Sequence, residues 1–274
     1  MSFLHYYLNI FVSFVIQLID NTNMVRKEDF FISSNSVHSI SEEEYQKVEL
    51  LIKIFDAISR TTYQSLYIID YYKKDFLHVS GNPLFLCGHT SEQVKQLGYM
   101  FYINHVPPPE LDMLTKINKA GFNFFHTIPT EERTEYTISY DFHIVNSKKQ
   151  MLINHKLTPL ILTSDGRMWL AACVVSLSPH DTPGHVELRK SGMTQYWEYS
   201  LESHRWVVNN GITLNEREKD ILLLSAKGYT MYEIADKLCI AIDTVKFYKR
   251  KLFEKLEVKN ITEALSFATN YKLL

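Results

Sequence analysis

The stretch from Leu214 to Leu274 constrains the fold more than any other part of the chain, because it repeats the signals that begin and end short helices. Three pairs have capping-box spacing, in which each member accepts a backbone N–H bond from the other: Asn215 with Glu218, Thr230 with Glu233, and Asn260 with Glu263. Gly228 follows the first apolar run and suits a helix end. The pattern predicts four helices, over residues 217–227, after Thr230, over residues 243–257, and after Asn260.

The third of these helices is apolar on one side and basic on the other. Its apolar stripe consists of Val245, Tyr248, Leu252 and Leu256. The remaining arc carries Lys246, Phe247, Lys249, Arg250 and Lys251. Two helices joined by a tight link and followed by such a helix predict a helix-turn-helix. Its basic side suits a DNA major groove, where lysine and arginine neutralise phosphates and one or two side chains reach base edges.

The same stretch resembles the LuxR-type (GerE-like) DNA-binding domain of bacterial transcription regulators. The resemblance holds its spacing without a gap over roughly the last fifth of the chain. It rests on Leu214, Arg217, Glu218, Ile221, Leu222, Leu224, Ala226, Gly228, Glu233, Ile234, Ala235, Leu238, Ile240, Thr244, Val245, Lys246, Lys255, Leu256, Val258, Asn260, Thr262, Glu263 and Ala264.

The resemblance implies a role for each exposed residue of the basic helix. Lys246, Phe247 and Arg250 are expected to face bases. Phosphate contacts are expected from Thr244, Lys249 and Lys251, with help from Tyr232 on the second helix. The last helix, with Ala264, Leu265 and Phe267, is where such domains often dimerise.

The chain departs from the family pattern at four positions. Ala241 stands where the family usually has a serine or threonine cap, so the third helix is expected to start less firmly. Tyr248 replaces a common histidine, Glu257 a common glycine and Ile261 a common arginine. None of these changes removes the basic face.

Charge is distributed unevenly along the 274 residues, whose net charge is −2. The stretch from Leu214 onward carries +2 and the remainder −4. DNA affinity is therefore expected from a local patch, with the acidic remainder opposing non-specific binding. The three cysteines are far apart, which fits a reducing, cytoplasmic setting rather than a disulfide framework.

Residues 1–23 begin with nineteen uncharged residues, about as long as the shortest membrane spans. Three interpretations stay open: an upstream extension of a chain that starts at Met24, an amphipathic helix packed on a partner or subunit, and a membrane anchor with Arg26 and Lys27 inside. The run lacks a signal peptide's basic start and cleavage site. A membrane location is the least favoured of the three.

A helix and a series of strands occupy the middle of the chain. Ser41 and Glu44 cap a helix over residues 41–60, whose apolar face is Tyr45, Val48, Leu51, Ile52, Phe55 and Ile58. Strands are predicted at 66–70, 76–80, 136–145, 151–162 and 168–177, and short helices at 83–86, 91–97 and 109–119. Alternation places Tyr140 and His155 on one face of a hairpin.

Two strands, short helices and three long strands resemble a PAS domain. Short phrases carry the resemblance further: the strand Tyr67–Asp70, the turn at residues 80–83, and residues 87–94 followed by Leu97 and Gly98. PAS domains generally sense small molecules, redox state or light, or serve as dimer interfaces. The resemblance therefore implies a sensor or dimerisation domain.

The predicted fold class is α+β: a PAS-like antiparallel sheet with flanking helices, followed by an all-α four-helix helix-turn-helix domain. The predicted segments are residues 1–23, an extension over 24–62, the PAS-like domain over 63–178, a linker with a small hairpin over 179–213, and the DNA-binding domain over 214–274. Residues 179–192 are rich in proline, glycine and charge, which favours a linker there.

Few residues outside the basic helix suggest chemistry. Tyr140 and His155 are candidates to line a ligand pocket, although a hydrogen-bonded core histidine is the commoner role. Cys87 with His89 supplies too few ligands for a metal site, and a buried thiol is the simpler interpretation. No nucleotide-binding or nucleophile motif is recognisable, so no catalytic residue, metal or cofactor is predicted, and the ligand stays unknown.

The sequence thus predicts a transcription regulator that binds double-stranded DNA as a homodimer, with RNA polymerase as a further candidate partner. The alternative is a PAS-based protein-interaction or small-ligand sensor that binds DNA only weakly. An enzyme is not indicated.

Overall fold

The computed structural model describes residues 25–147 and 149–274. The predictions for residues 1–23 therefore lie outside the described part. Within it, no helix combines the length and the apolar character needed to cross a membrane.

Eight strands among the described residues form one antiparallel sheet in the order β2-β1-β5-β4-β3-β6-β7-β8. The strands are β1 (Ser65–Asp70), β2 (Asp75–Val79), β3 (Tyr136–Asn146), β4 (Lys149–Leu162), β5 (Met168–Leu177), β6 (Gly184–Lys190), β7 (Gln195–Ser200) and β8 (Arg205–Asn210). The five strands predicted for the PAS-like region are present, and β5 lies between β1 and β4 as a strand that is apolar on both faces should.

Helices cover both faces of this sheet. They are α1 (Glu42–Ser59), α2 (Pro83–Leu86), α3 (Ser91–Leu97), α4 (Met100–His105) and α5 (Pro108–Thr127). The main core lies between the sheet and α2–α5 and contains Tyr67, Phe85, Phe101, Phe142 and Ile153, each fully buried. Helix α4 was not predicted from the sequence, and α5 extends eight residues beyond its predicted end.

The predicted register of the β3–β4 hairpin is confirmed. Asn146 pairs with Lys149, and Tyr140 pairs with His155. The apolar residues Phe142 and Ile153 are paired as well, so both apolar sets share the face that α4 and α5 cover.

The other face of the sheet is packed by α1. Ser41 and Glu44 cap this helix reciprocally, as predicted. Val48 is buried against Trp169 and Leu170 of β5. Ile58 was predicted on the apolar face of this helix, but it is not covered by the sheet, because its side chain is 49% exposed.

The segment predicted as a linker contains a strand. β6 pairs with β3 on one side and with β7 on the other, and it buries Val186 and Leu188. Pro183 and Gly184 predicted a loop, but β6 begins at Gly184, and only the residues before it lie in a loop. The alternating apolar residues of β6 find a core because the edge of β3 is open to pairing.

The C-terminal region is helical. It contains α6 (Glu216–Ala226), α7 (Met231–Leu238), α8 (Ile242–Leu256) and α9 (Ile261–Asn270). The capping boxes of α6 and α7 form as predicted. At α9 only Asn260 acts as the cap, because the Glu263 carboxylate accepts from the N–H of Lys259 instead.

The end of α9 docks on the sheet. Lys156 of β4 donates to the carbonyl of Asn270 at 2.6 Å, and Ser176 of β5 bonds to the Asn270 side chain at 3.0 Å. A cation at the carbonyl end of a helix is favoured by the exposed C=O groups there. Burial lowers the pKa of Lys156 to about 8.

Candidate DNA-binding interface

The helix-turn-helix is held together by a small apolar cluster. Ile221 of α6, Ile234 and Ala235 of α7, and Val245 of α8 are buried against one another. Val245 therefore fixes which side of α8 faces inward. The arc on the opposite side is left to solvent.

The link between α7 and α8 is three residues long. Cys239 adopts a left-handed conformation with φ 51°, and the N–H of Ile240 bonds to the carbonyl of Ala235 at 3.0 Å. Ala241 then stands at the start of α8 with extended backbone and without a side-chain cap, as the sequence indicated. A missing cap costs about 1 kcal/mol, so tertiary contacts have to hold α8 in place.

One such contact joins the end of α8 to the start of α6. The Lys255 ammonium donates to the Glu218 carboxylate at 2.8 Å, and the same carboxylate oxygen accepts the N–H of Asn215 at 3.0 Å. Burial raises the pKa of Glu218, but the bonds from Lys255 and Asn215 outweigh it and leave that pKa below its ordinary value. Glu218 is therefore ionised at neutral pH.

Most of the residues expected to contact DNA are exposed. Lys246, Phe247, Arg250 and Lys251 are exposed on α8, and Tyr232 is 76% exposed on α7. Thr244 and Lys249 are half-buried, because they lie nearer to the packed side of α8. The structure thus places all seven on adjoining elements, with the base-facing candidates at the centre of the exposed arc.

The exposed arc is not purely cationic. Lys246 pairs with Asp243 at 3.0 Å and Arg250 with Glu254 at 3.8 Å, and all four side chains are more than half exposed. Exposed pairs of this kind contribute about 0–1 kcal/mol, so a phosphate can replace either carboxylate at little cost. The basic stretch predicted from the sequence ended at residue 251 and so did not include Glu254, which lies one turn after Arg250.

Two aromatic rings lie beside the basic side chains of α8. The Arg250 guanidinium lies 5.9 Å from the Phe247 ring, and Lys249 lies at the same distance from Phe253. The groove beside α8 also contains Met231 and Lys259, which the sequence analysis did not single out. Lys259 follows Glu257, which holds a left-handed conformation with φ 55° at the end of α8.

The departures from the family pattern have different structural consequences. Tyr248 packs against the apolar cluster of the helix-turn-helix, so this change affects packing rather than the exposed arc. Glu257 adopts the conformation that glycine reaches without steric cost. Because Ala241 is the N-cap residue, no side-chain hydrogen bond caps the start of α8.

The proposed pocket residues lie in the main core. His155 is buried and contacts the Tyr67 hydroxyl through Nε2 at 2.5 Å, and Tyr67 in turn bonds to Tyr102. Its Nδ1 has no partner among the described residues. Burial lowers the pKa of His155 to about 3, so the ring stays neutral.

A cavity of about 50 Å³ lies between α5 and the sheet. Tyr140 lines it together with Phe125 and Gly121, whereas His155 does not. Ligand pockets usually enclose about 300–1,000 Å³, so this cavity is largely filled by the chain's own side chains.

The cysteine predicted to be a buried thiol is buried. Cys87 is 8% exposed, and burial raises its pKa to about 11. A thiol with such a pKa is not a nucleophile at neutral pH.

A short link between two helices, followed by a helix with an exposed basic arc, defines a helix-turn-helix of the DNA-binding class. Residues 213–268 match the family model of bacterial regulatory proteins of the luxR family, also called GerE. The C-terminal domain is therefore of the LuxR type, as the sequence analysis predicted.

Curated relatives match over the same region. Response regulator protein VraR of Staphylococcus aureus (strain NCTC 8325 / PS 47) is 46% identical over 61 residues, which are 22% of this chain and 29% of VraR. VraR of Staphylococcus saprophyticus gives the same values. The chain thus spans less than a third of the length of these relatives.

Solved structures with a weaker likeness cover more of the chain. The phage VqmA–DPO complex is 16% identical over 85% of this chain and 90% of its own, with a TM-score of 0.32. The Vibrio cholerae VqmA dimer without target DNA is 14% identical over 86% and 89%, with a TM-score of 0.30. Scores of this size do not establish a common arrangement of the whole chain.

Proposed function

We propose that this protein is a sequence-specific DNA-binding transcription regulator that works as a homodimer. The observation that carries the proposal is the exposed basic arc of α8 within a LuxR-type domain. Lys246, Phe247 and Arg250 would read base edges, and Thr244, Lys249, Lys251 and Tyr232 would hold phosphates.

The N-terminus of α7 adds a second place for a phosphate. Thr230 and Glu233 occupy the cap, while the N–H groups of the first turn carry the partial positive charge of the helix end. Tyr232 is exposed in that turn and is placed to bond to a phosphate beside it. This arrangement would fix the register of α8 in the groove.

The dimer is supported by an apolar stripe on α1. Leu50, Ile54 and Ile58 are four residues apart and are 65%, 46% and 49% exposed. An exposed apolar row of this kind can pack against the same row on a second copy of the chain. The last helix is a poorer candidate than the family resemblance implied, because Ala264 is fully buried inside the domain.

The sheet domain would sense a signal or hold the dimer. The order of strands and helices supports a PAS-like role. The cavity lined by Tyr140 holds only about 50 Å³, so a small ligand there would have to displace side chains of α5.

The experiment is a titration of the full chain with genomic DNA fragments, followed by fluorescence anisotropy at several salt concentrations. Specific binding should survive competitor DNA. Lys251→Ala should reduce the slope of log K against log salt by about one without changing sequence preference. Arg250→Ala should cost about 1–3 kcal/mol and relax preference at one base position.

Lys53→Ala is the matched control, because it removes the same charge from the exposed side of α1. It should leave the salt slope unchanged. Lys246→Ala with unaltered affinity and sequence preference would refute the assignment of α8. Binding that competitor DNA abolishes would favour the alternative, a sensor or interaction protein with weak DNA binding.

Sedimentation of the full chain tests whether the protein is a dimer. Ile54→Asp places a charge in the α1 stripe and should produce monomers, whereas Lys53→Asp on the same helix should not. A symmetric two-half-site footprint on DNA is expected from the dimer, and a single half-site would contradict it.

A further inference from the structure

Three side chains of metal-binding type meet on the face of the sheet against which the end of α9 packs. They are Asp141 of β3, His180 of the loop after β5, and His185 of β6. One ligating atom from each lies within 4.8 Å of the other two. None of them belongs to the basic arc of α8 or to the cavity beside Tyr140.

A bulge between β3 and β6 brings these residues together. Ser139 pairs with Glu187, but Asp141, two residues on, pairs with Gly184, three residues back. The extra residue in β6 lets His185 take a left-handed conformation with φ 46°. Bulges of this kind redirect side chains and occur often beside functional sites.

Asp141 lacks a fixed positive partner. Its side chain is completely buried, with Oδ1 accepting from the Asn154 amide at 2.8 Å and Oδ2 lying 2.5 Å from Nδ1 of His180. A buried carboxylate is costly unless a cation compensates it. A bound metal ion would supply that charge.

The far nitrogen of each imidazole already has a partner. Nε2 of His180 lies 3.4 Å from the Tyr271 hydroxyl, and Nε2 of His185 lies 3.0 Å from Oγ1 of Thr182. Histidines that bind metals almost always donate their other N–H to such a group, which fixes the ring and its tautomer. Metal binding would use Nδ1 of His185, and it would replace the bond between Nδ1 of His180 and Oδ2 of Asp141 with bonds from both atoms to the metal.

A buried polar atom next to the cluster also lacks a partner. The Asn154 side chain is 4% exposed, and its amide oxygen has no hydrogen bond among the described residues. Buried polar groups are normally satisfied by protein or by ordered water. An ion that carries water ligands would satisfy it.

We propose that Asp141, His180 and His185 form a binding site for a divalent transition-metal ion. Two imidazole nitrogens and one carboxylate oxygen suit Zn²⁺, Co²⁺ or Ni²⁺, whereas Mg²⁺ and Ca²⁺ prefer oxygen ligands throughout. Three protein ligands leave a position for water. That position opens into the cleft between β6 and α9, which His180 and His185 line.

Small side-chain movements complete the site. Ligand atoms around Zn²⁺ lie about 3.3 Å apart, given metal–ligand bonds of about 2.0–2.2 Å. The His180 and His185 rings are stacked with centroids 3.9 Å apart and planes 11° from parallel, so one ring has to turn. His185 is the exposed ring and makes that turn, while Asp141 and Tyr271 hold His180.

The proposal does not depend on DNA binding, because every group it uses lies on the sheet or beside it.

The test is zinc binding by the untagged full chain after treatment with a chelator, measured in competition with a chromogenic chelator. One equivalent should bind. His185→Ala should weaken binding by at least the 10- to 100-fold that is typical for loss of a group supporting a metal ligand. Cobalt added instead of zinc should give visible absorption bands that disappear in His185→Ala.

His89→Gln is the matched control. It removes one member of the other close imidazole pair, in which Nε2 of His89 lies 3.0 Å from Nε2 of His105. This variant should bind zinc as the wild type does. Absence of saturable binding by the wild type, unchanged binding by His185→Ala, or loss of binding in His89→Gln would each overturn the proposal.

Discussion

Glu218 ties the start of α6 to the end of α8, so its charge should decide whether the basic arc is held in place. The perturbation is Glu218→Gln, which keeps the shape and the cap acceptor but removes the counter-charge of Lys255. The Glu218 side chain is fully covered, and Lys255 is 32% exposed.

The magnitude follows from these exposures. Breaking a fully buried ion pair costs about 3–5 kcal/mol. Lys255 keeps part of its hydration, so we expect about 2 kcal/mol, or about 30-fold in the opening equilibrium of the domain. A domain of this size has a free energy of unfolding of about 3–9 kcal/mol, of which this is a large part.

Hydrogen exchange of the full chain, followed by mass spectrometry, measures this opening locally. Peptides from α6 and α8 should lose about 30-fold in protection, and peptides from β4 and β5 should not change. The control is Glu216→Gln on the same helix, whose carboxylate is 87% exposed and pairs with Lys219 at 3.3 Å. Its effect should be within about 0.5 kcal/mol.

A double variant with Lys255→Met separates the pair from its surroundings. If the ion pair carries the effect, the double variant should be less destabilised than the sum of the two single variants. Equal protection in Glu218→Gln and Glu216→Gln would refute the reasoning, since it would mean that the buried pair contributes no more than an exposed one.

Two further predictions concern buried and strained residues. Burial lowers the pKa of His155 from its ordinary 6.5 to about 3 in the folded state. Between these two pH values the unfolded chain binds a proton at His155 and the folded chain does not, so the free energy of unfolding falls as the pH falls from 6.5 towards 3. His155→Gln should remove about 2 kcal/mol of the loss between pH 6.5 and 5, measured by urea unfolding; an unchanged pH dependence would contradict this. Glu257→Gly should stabilise the C-terminal domain by about 0.5–1 kcal/mol in hydrogen exchange, since glycine accepts φ 55° without strain, whereas Glu254→Gly in the helix interior should destabilise it by about 1 kcal/mol.

Local signals made the C-terminal domain predictable from the sequence. Asn215 with Glu218 and Thr230 with Glu233 are bonds between residues three apart, so their spacing is visible in the chain. The side of α8 that faces solvent follows from helical periodicity in the same way. The β3–β4 register was predictable too, because alternation fixes which face of a hairpin is buried.

Contacts between distant segments were decided by the tertiary structure alone. β6 lies in a stretch that was predicted to be a linker. A strand forms only where a neighbouring strand can pair with it, and the sequence does not show that β3 has an edge available for β6. Lys255 reaches Glu218 across 37 residues, and Asp141 meets His180 across 39. The sequence thus determined a LuxR-type domain with a basic helix, since short-range hydrogen bonds and periodicity encode it. The buried Asp141 carboxylate and the imidazoles of His180 and His185 come together only in the folded chain. Residues so far apart in the sequence meet only through the tertiary structure, which also decides whether they are buried.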